Sequence, residues 1–311
     1  MKKLRKIIIL GGNGYIAKSI CKYLNNLSDY HIFLVVRTKP SHHYYDQYII
    51  SDINSPSWIE DVININPDAI INCAFDFKKL SKNINHIDEK KYFELSHNLK
   101  EIKRRCSPLL INISSTSAFI NCKTIYGNEK LKIEEIFSLL NGVNIRPGLV
   151  VSFEDPGSAF KKLIDLIIKL RILPYMSRKN SGFYICNQKI LLHSIYLILN
   201  YKINKAHTIS LCFDKKMQMI DIIKIIKNKY NIKSVHIKFP WFVLYYLLLF
   251  KEFICGYSKV RSDSILDYAY SIENPDNIYF YRFVLKKYLN ISMINKNQDI
   301  NKYKFEHYFF D

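Results

Sequence analysis

RKIIILGGNGYIAKSICKYL, residues 5–24, decides the fold. Lys6–Leu10 is a run of isoleucines and leucine behind one lysine, the composition of a strand buried on both faces of a sheet. Gly11, Gly12 and Gly14 follow at once, and Ile16, Ile20, Tyr23 and Leu24 then recur at helical spacing. A strand, a sharp turn and a helix are therefore expected in that order. Glycines let the chain reverse tightly and let a pyrophosphate approach the backbone. The helix N-terminus behind them offers N–H groups to phosphate oxygens. The spacing is G-x-x-G-x-x-A, and Ala17 at the third position is small enough for the helix to pack on the strand.

Outward from this turn the pattern repeats. HIFLVV (31–36) is a strand ending on Arg37, with Thr38 and Lys39 behind it. An acidic residue there would accept hydrogen bonds from the ribose hydroxyls of NAD. A planar guanidinium suits a 2′-phosphate instead, so the position predicts NADP(H) over NAD(H). QYIISDI is a short strand ending at Asp52, and SPSWIEDVININ (55–66) is a helix with Ser55 as N-cap and Pro56 at its first position. DAIINCAF and PLLINISS (108–115) are further strands. Strands alternating with helices predict an α/β fold, a Rossmann-like doubly wound parallel sheet. Such sheets bind ligands beyond the carboxyl ends of their strands. Asp52, Asn72-Cys73-Ala74 and Ser114-Ser115-Thr116 fall at those ends.

The remaining composition narrows the class. Seven cysteines, an odd number with no C-x-x-C, suit reduced thiols in a cytoplasm rather than a disulfide framework. Cys73 and Cys122 read as small buried thiols. The formal charge is +19, but the lysines are scattered in short doublets. Solvated lysine faces are expected, and no nucleic-acid partner. The apolar run after MKKLRK ends at Leu10, so no targeting segment is expected. FPWFVLYYLLLF (239–250) is too short to cross a bilayer, which takes about 20 residues. It is expected as a buried helix, with a helix on a membrane surface as the alternative. His42-His43 has no further ligand at metal spacing, so no metal is expected.

Three pairs share the spacing Y-x-x-x-K: Tyr126/Lys130, Tyr175/Lys179 and Tyr201/Lys205. Tyr175 is expected in a polar loop, and Tyr201 is followed by loop. Only Tyr126 comes after a strand that ends in hydroxyls and opens a helical pattern (Leu131, Ile133, Ile136, Phe137, Leu140). Residues four apart on a helix share a face. A phenol titrates near ~10, and a nearby ammonium is expected to lower that value. Such a pair can move a proton at a carbinol or carbonyl oxygen while a cofactor carries hydride.

Gly11-x-x-Gly14-x-x-Ala17, Asp52-Ile53, Asn72-Cys73-Ala74, Ser114-Ser115-Thr116, Tyr126-x-x-x-Lys130 and Arg146-Pro147-Gly148 stand in an order that resembles the extended short-chain dehydrogenases/reductases of the NAD-dependent epimerase/dehydratase group. The resemblance covers roughly residues 5–200. It implies Tyr126 as acid/base, Lys130 as the residue orienting tyrosine and cofactor, and Thr116 with Ser115 as substrate-orienting hydroxyls. It implies cofactor contacts at Gly11, Gly14, Tyr15, Ile16, Arg37, Asp52, Ile53, Cys73, Ala74, Lys130 and Pro147. A nucleotide-sugar substrate follows, with Lys259 and Arg261 holding its diphosphate. Residues 1–150, with a returning segment near 185–205, are expected to form the NAD(P)-binding domain, and 151–311 a substrate-binding lobe. Two departures stand out. The 116–126 loop is short for the family, and the acidic pair that dehydratases carry after the threonine is replaced by Ser117 and Ala118. That argues for reduction, oxidation or epimerisation over dehydration. The expected activity is a cytoplasmic NADPH-dependent keto-sugar reductase or an epimerase, with a homodimer as a further expectation. The alternatives are a steroid- or lipid-like alcohol dehydrogenase touching a membrane through 239–250, and a non-catalytic dinucleotide-sensing regulator.

Overall fold

The structure, a computed structural model, describes residues 4–76, 89–152, 159–169, 172–176, 178, 180–201, 207–255 and 261–275. The first half of the chain runs β1 (Arg5–Leu10), α1 (Tyr15–Asn26), β2 (Tyr30–Val36), β3 (Gln47–Ile50), a 3-10 turn (Pro56–Trp58), α2 (Ile59–Ile65), β4 (Ala69–Asn72), α3 (Glu89–Cys106), β5 (Leu109–Ile113), α4 (Ile125–Leu139) and β6 (Val143–Pro147). The rest runs β7 (Leu149–Val151), α5 (Ala159–Lys169), β8 (Ile172–Met176), β9 (Ile185–Asn187), α6 (Gln188–Tyr201), β10 (His207–Leu211), α7 (Met219–Tyr230), β11 (Val235–Phe239), α8 (Trp241–Cys255) and α9 (Ser262–Ala269).

The chain divides into two compact units. The first comprises Met1–Ser114, Glu129–Arg146 and Ser194–Ile209. It is built on a seven-stranded sheet of order β10-β6-β5-β4-β1-β2-β3, parallel from β6 through to β3. This is the predicted Rossmann-like order. Ile7, Ile8, Ile9 and Leu10 are wholly buried, as a central strand requires. Ile8 and Leu10 pack with Val62, Leu99, Leu110 and Phe137 into one core cluster.

Two polar devices cross this core. Asn72, Asn112 and Asn144 stand in register on β4, β5 and β6. Asn72 Nδ2 donates to Asn112 Oδ1 and Asn112 Nδ2 to Asn144 Oδ1, each at 3.0 Å. Asn144 Nδ2 in turn donates to the Glu134 carbonyl at 3.1 Å, and Asn72 Oδ1 accepts from Ala74 N at 3.1 Å. A buried amide is tolerated only when so partnered. The ladder ties the far end of α4 to the backbone beyond β4. The second device is a buried fork. Arg146 Nε and Nη2 donate to the two carboxylate oxygens of Glu134 at 2.8 and 2.7 Å.

The second unit comprises Ser115–Asn128, Pro147–His193 and Ser210–Asp311. Two short parallel pairs form in it, β7 with β9 and β8 with β11. Phe160, Ile164, Ile185, Ile222 and Ile226 make its main core. Several expectations are corrected here. Tyr175 lies in β8, not in a loop: a three-to-five-residue strand containing Pro174 leaves no alternation to detect. Tyr201 ends α6, and Lys179 and Lys205 lie outside the described residues. Helix α9 opens behind Arg261, which gives it no side-chain cap. The cap is foreign: Glu252 accepts from Ser262 N at 2.9 Å and from Ser262 Oγ at 2.6 Å.

The expected buried helix at 239–250 is corrected too. Residues 241–255 form α8, and none of its residues is buried. Trp241, Leu244, Tyr245 and Leu248 pack against Ile265 and Tyr268. The other side exposes Phe242, Tyr246, Leu247, Phe250, Phe253 and Ile254, Phe253 to 85%. Among the described residues no helix is long and apolar enough to cross a membrane.

Candidate active site

The first unit carries an open cleft of about 550 Å³ at the carboxyl ends of its strands. Gly11 turns the chain there with φ +77, and a Cβ on it would stand 2.6 Å from Ala74 Cα. Both the left-handed backbone and the lack of space exclude any larger residue. Gly11 N donates to the Val35 carbonyl and Gly14 N to the Gly11 carbonyl, each at 2.9 Å. His42 Nε2 lies 3.1 Å from the Gly12 carbonyl, so this histidine braces the glycine turn. Asn13 Nδ2 donates to the Thr38 carbonyl at 3.0 Å. Helix α1 opens at Gly14 with no side-chain cap and no acidic residue in its first turn. Its leading N–H groups thus face the cleft ready for an anion.

Gly11, Gly14, Arg37, Asp52, Ile53, Cys73 and Ala74 all line this cleft. Tyr15 and Ile16 begin α1 directly behind the turn. The Ile53 carbonyl accepts from Trp58 Nε1 at 3.2 Å and Asn98 Nδ2 at 3.0 Å, which fixes the Asp52-Ile53 bend. Burial keeps the Cys73 and Cys122 thiols protonated. Arg37 has a partner that its sequence neighbourhood does not announce: Asp76 Oδ2, 2.5 Å from Arg37 Nη1. Ser114 Oγ, buried at the end of β5, has no hydrogen-bond partner among the described residues. An uncapped helix end, a glycine cradle and an orphaned hydroxyl at the strand ends suit a dinucleotide.

Lys130 also belongs to the first unit. Its Nζ donates to the Ile113 carbonyl at 2.8 Å and stands 4.8 Å from the ring centroid of Phe75, a residue of the cleft wall. Burial pulls the ammonium down to about 8. It is therefore charged at pH 7 and loses its proton as the pH rises through that value.

Tyr126 stands four residues earlier on α4, in the second unit, within a cluster of its own. The phenol hydrogen-bonds with Ser115, and Arg261 lies 5.9 Å over the ring. Ser115 Oγ is 3.0 Å from Ser117 Oγ, and Ser117 hydrogen-bonds with the Asp267 carboxyl. Asp263 accepts from Ile125 N and Tyr126 N at 3.1 and 3.2 Å, an N-cap for α4 contributed from α9. Gly127 allows the loop to close on the helix, since a Cβ there would stand 2.2 Å from the Ser117 carbonyl. Thr116 is half-buried, with its N–H on the Pro147 carbonyl at 3.0 Å. Arg261 Nη2 lies 3.8 Å from Asp263 Oδ2. Lys259 lies outside the described residues.

One electrostatic expectation is reversed. The Tyr126 phenol is pushed up to about 12, first by burial and then by the Asp267 and Asp263 carboxylates, against the Ser115 hydrogen bond and the Arg261 cation. The phenol is protonated at neutral pH, and the cation that opposes this is Arg261. Asp76, Asp263 and Asp267 escaped the sequence reading because each lies far along the chain from the residue it touches. Asp263 and Asp267 stand four residues apart on α9, a spacing that puts both carboxylates on one face.

A second cavity, about 600 Å³, lies at the opposite ends of the strands. Its cations are engaged on backbone: Lys6 Nζ donates to the Ile65 carbonyl and Lys103 Nζ to the Pro108 carbonyl, each at 2.7 Å.

Residues 7–138 match the NAD dependent epimerase/dehydratase family. No curated protein matches the chain in sequence. Among solved structures, the Helicobacter pylori ADP-L-glycero-D-manno-heptose-6-epimerase is similar over 92% of this chain and 96% of its own, at 16% identity and a TM-score of 0.61. MoeE5 in complex with UDP-glucose and NAD is similar over 76% and 85%, at 12% identity and a TM-score of 0.61. A hypothetical dTDP-4-dehydrorhamnose reductase from Sulfolobus tokodaii is similar over 76% and 86%, at 17% identity and a TM-score of 0.59. At such identities the likeness is one of fold.

Proposed function

We propose that this chain is an enzyme of the NAD dependent epimerase/dehydratase family that acts on a nucleotide-activated sugar and reduces a keto group of that sugar with NADP(H). One observation carries the reading: a phenol held protonated on a serine, one helical turn before a lysine anchored beside the dinucleotide cleft. Bound in the cleft, a reduced nicotinamide supplies hydride. Tyr126 gives its phenolic proton to the carbonyl oxygen of the sugar. Thr116 and Ser115 orient that oxygen, and Lys130 holds the nicotinamide ribose. Arg261 is the cation for the diphosphate. Epimerisation would use the same proton donor, and the absence of an acidic pair at Ser117 and Ala118 disfavours dehydration. The compartment that suits these reduced thiols is the cytoplasm. The test is a panel of keto nucleotide sugars followed by nicotinamide absorbance. Consumption of the reduced cofactor with at least one of them is expected, and binding without turnover on any would favour a dinucleotide sensor.

The preference for NADP(H) rests on Arg37 at the end of β2, and Asp76 opposes it by competing for the same guanidinium. Arg37→Ala is expected to weaken NADPH about tenfold relative to NADH, the scale of one charge-assisted contact. Asp76→Asn should shift the ratio the other way. Equal NADPH and NADH affinities in the wild type, unmoved by either change, would remove the preference for NADP(H).

The exposed side of α8 favours a second reading, a reductase working at an anionic membrane surface. Its outer side carries six exposed large apolar residues, while its carboxylate, Glu252, is turned inward onto Ser262. Residues 210–255 hold eight lysines against Asp214, Asp221 and Glu252. An apolar sector flanked by lysines fits a lipid interface. The protein should co-sediment with phosphatidylserine vesicles and not with neutral ones, and Phe250→Glu with Phe253→Glu should abolish this. Retention of the double variant on the vesicles, or a concentration-dependent dimer that the double variant abolishes, would remove the membrane assignment.

A further inference from the structure

Tyr126 must recover its proton after each turnover, and the second unit holds a route for it. We infer that Asp267 is the proton reservoir of Tyr126, connected to it through the hydroxyls of Ser117 and Ser115. This inference rests on the reading of Tyr126 as proton donor and extends it to residues that the glycine-turn and tyrosine–lysine patterns do not include.

The chain of contacts is continuous. The Asp267 carboxyl hydrogen-bonds with Ser117, Ser117 Oγ lies 3.0 Å from Ser115 Oγ, and Ser115 hydrogen-bonds with the Tyr126 phenol. The backbone pins the two serines together, since Ser117 N donates to Ser115 Oγ at 3.1 Å. A hydroxyl both donates and accepts, so each serine can pass a proton in either direction. Ser117 is 5% exposed and Asp267 is half-buried, so the link is shielded from bulk water.

The transfer balances. When the tyrosine has protonated the substrate oxygen it is a phenolate. Ser115 gives the phenolate its hydroxyl proton and takes that of Ser117, and Ser117 takes the carboxyl proton of Asp267. The phenol is restored, both serines are unchanged and Asp267 is left as a carboxylate, to be reprotonated by water. Oxidation of the alcohol runs the same path in reverse.

The surroundings of Asp267 suit this task. Burial raises its carboxyl to about 6, with Asp263 adding to the rise, and Ser117 and Arg261 opposing it. From the loop, the Cys122 thiol senses the same carboxylate, and from α4 so does Tyr126. The acid form is therefore filled below about pH 6 and emptied above it. In the reducing direction turnover should fall as the pH rises through that region. In the oxidising direction it should fall as the pH drops through it.

The experiment is the pH profile of kcat for wild type, Asp267→Asn and Ser117→Ala, using whichever keto nucleotide sugar of the panel is turned over. Asp267→Asn keeps the shape and the hydrogen bond to Ser117. It should lower kcat about tenfold and erase the limb near pH 6, with the Kd for reduced dinucleotide unchanged. Ser117→Ala should do the same while its Asp267 still titrates by carboxyl NMR. A lower kcat in both variants with the wild-type limb intact would make Asp267 structural and overturn the relay alone. A wild type that binds dinucleotide but turns over nothing would remove the parent reading, and the relay with it.

Discussion

Tyr126→Phe should reduce kcat by about 100- to 10,000-fold, the usual contribution of a positioned proton donor, and should leave the Kd for reduced dinucleotide where it was. The substitution deletes one oxygen. Asp263 would still cap α4 through Ile125 N and Tyr126 N, because those contacts are to backbone. The ring would still lie under Arg261. The cleft of the first unit does not include residue 126 among its walls, so binding and chemistry should separate cleanly. Stopped-flow absorbance of the nicotinamide gives kcat, and quenching of its fluorescence gives Kd. A variant that keeps more than about a tenth of wild-type kcat would place the proton donor elsewhere.

Glu134→Ala should destabilise the protein by about 3–5 kcal/mol, the cost of stranding one member of a buried ion pair. The side chains of Arg146 and Glu134 are 9% and 6% exposed and share two short hydrogen bonds. Removing the carboxylate takes two short charge-assisted hydrogen bonds from a buried guanidinium. The lesion also reaches α4, where the Glu134 carbonyl receives the end of the asparagine ladder, and Lys130 stands one turn away. Urea denaturation gives the loss directly as a lower midpoint with an unchanged slope. A loss below about 1 kcal/mol would mean that water or another carboxylate reaches Arg146.

Much of the fold is local in origin, which is why it could be read. A buried strand, three glycines and a helical repeat are all written within residues 5–24. The place of Tyr126 and Lys130 also follows from short-range pattern, a strand ending in hydroxyls and a helix opening at the tyrosine. What resisted reading depends on residues distant in the chain. Arg146 belongs to a recognisable Arg-Pro-Gly triplet, yet its charge is answered from α4. Each asparagine of the ladder looks like an ordinary strand residue until the register aligns all three. Arg37 was legible as a cation at the end of β2, but Asp76, which modifies its meaning, is 39 positions away. The ionisation of Tyr126 was misjudged for a related reason: burial and two carboxylates of α9 outweigh the neighbouring cation. Helix α8 was read as buried because its sequence is apolar all round, and only tertiary structure shows that just one side is covered.

In the proposed reaction hydride passes from a nicotinamide to a sugar carbon as Tyr126 protonates the adjoining oxygen. Mass spectrometry of the product formed with C4-deuterated NADPH tests this most directly. One deuterium on the product carbon that bore the keto group, in a product that Tyr126→Phe forms about 100- to 10,000-fold more slowly than wild type, is the predicted result. A product without deuterium, formed at the same rate by both proteins, would contradict it.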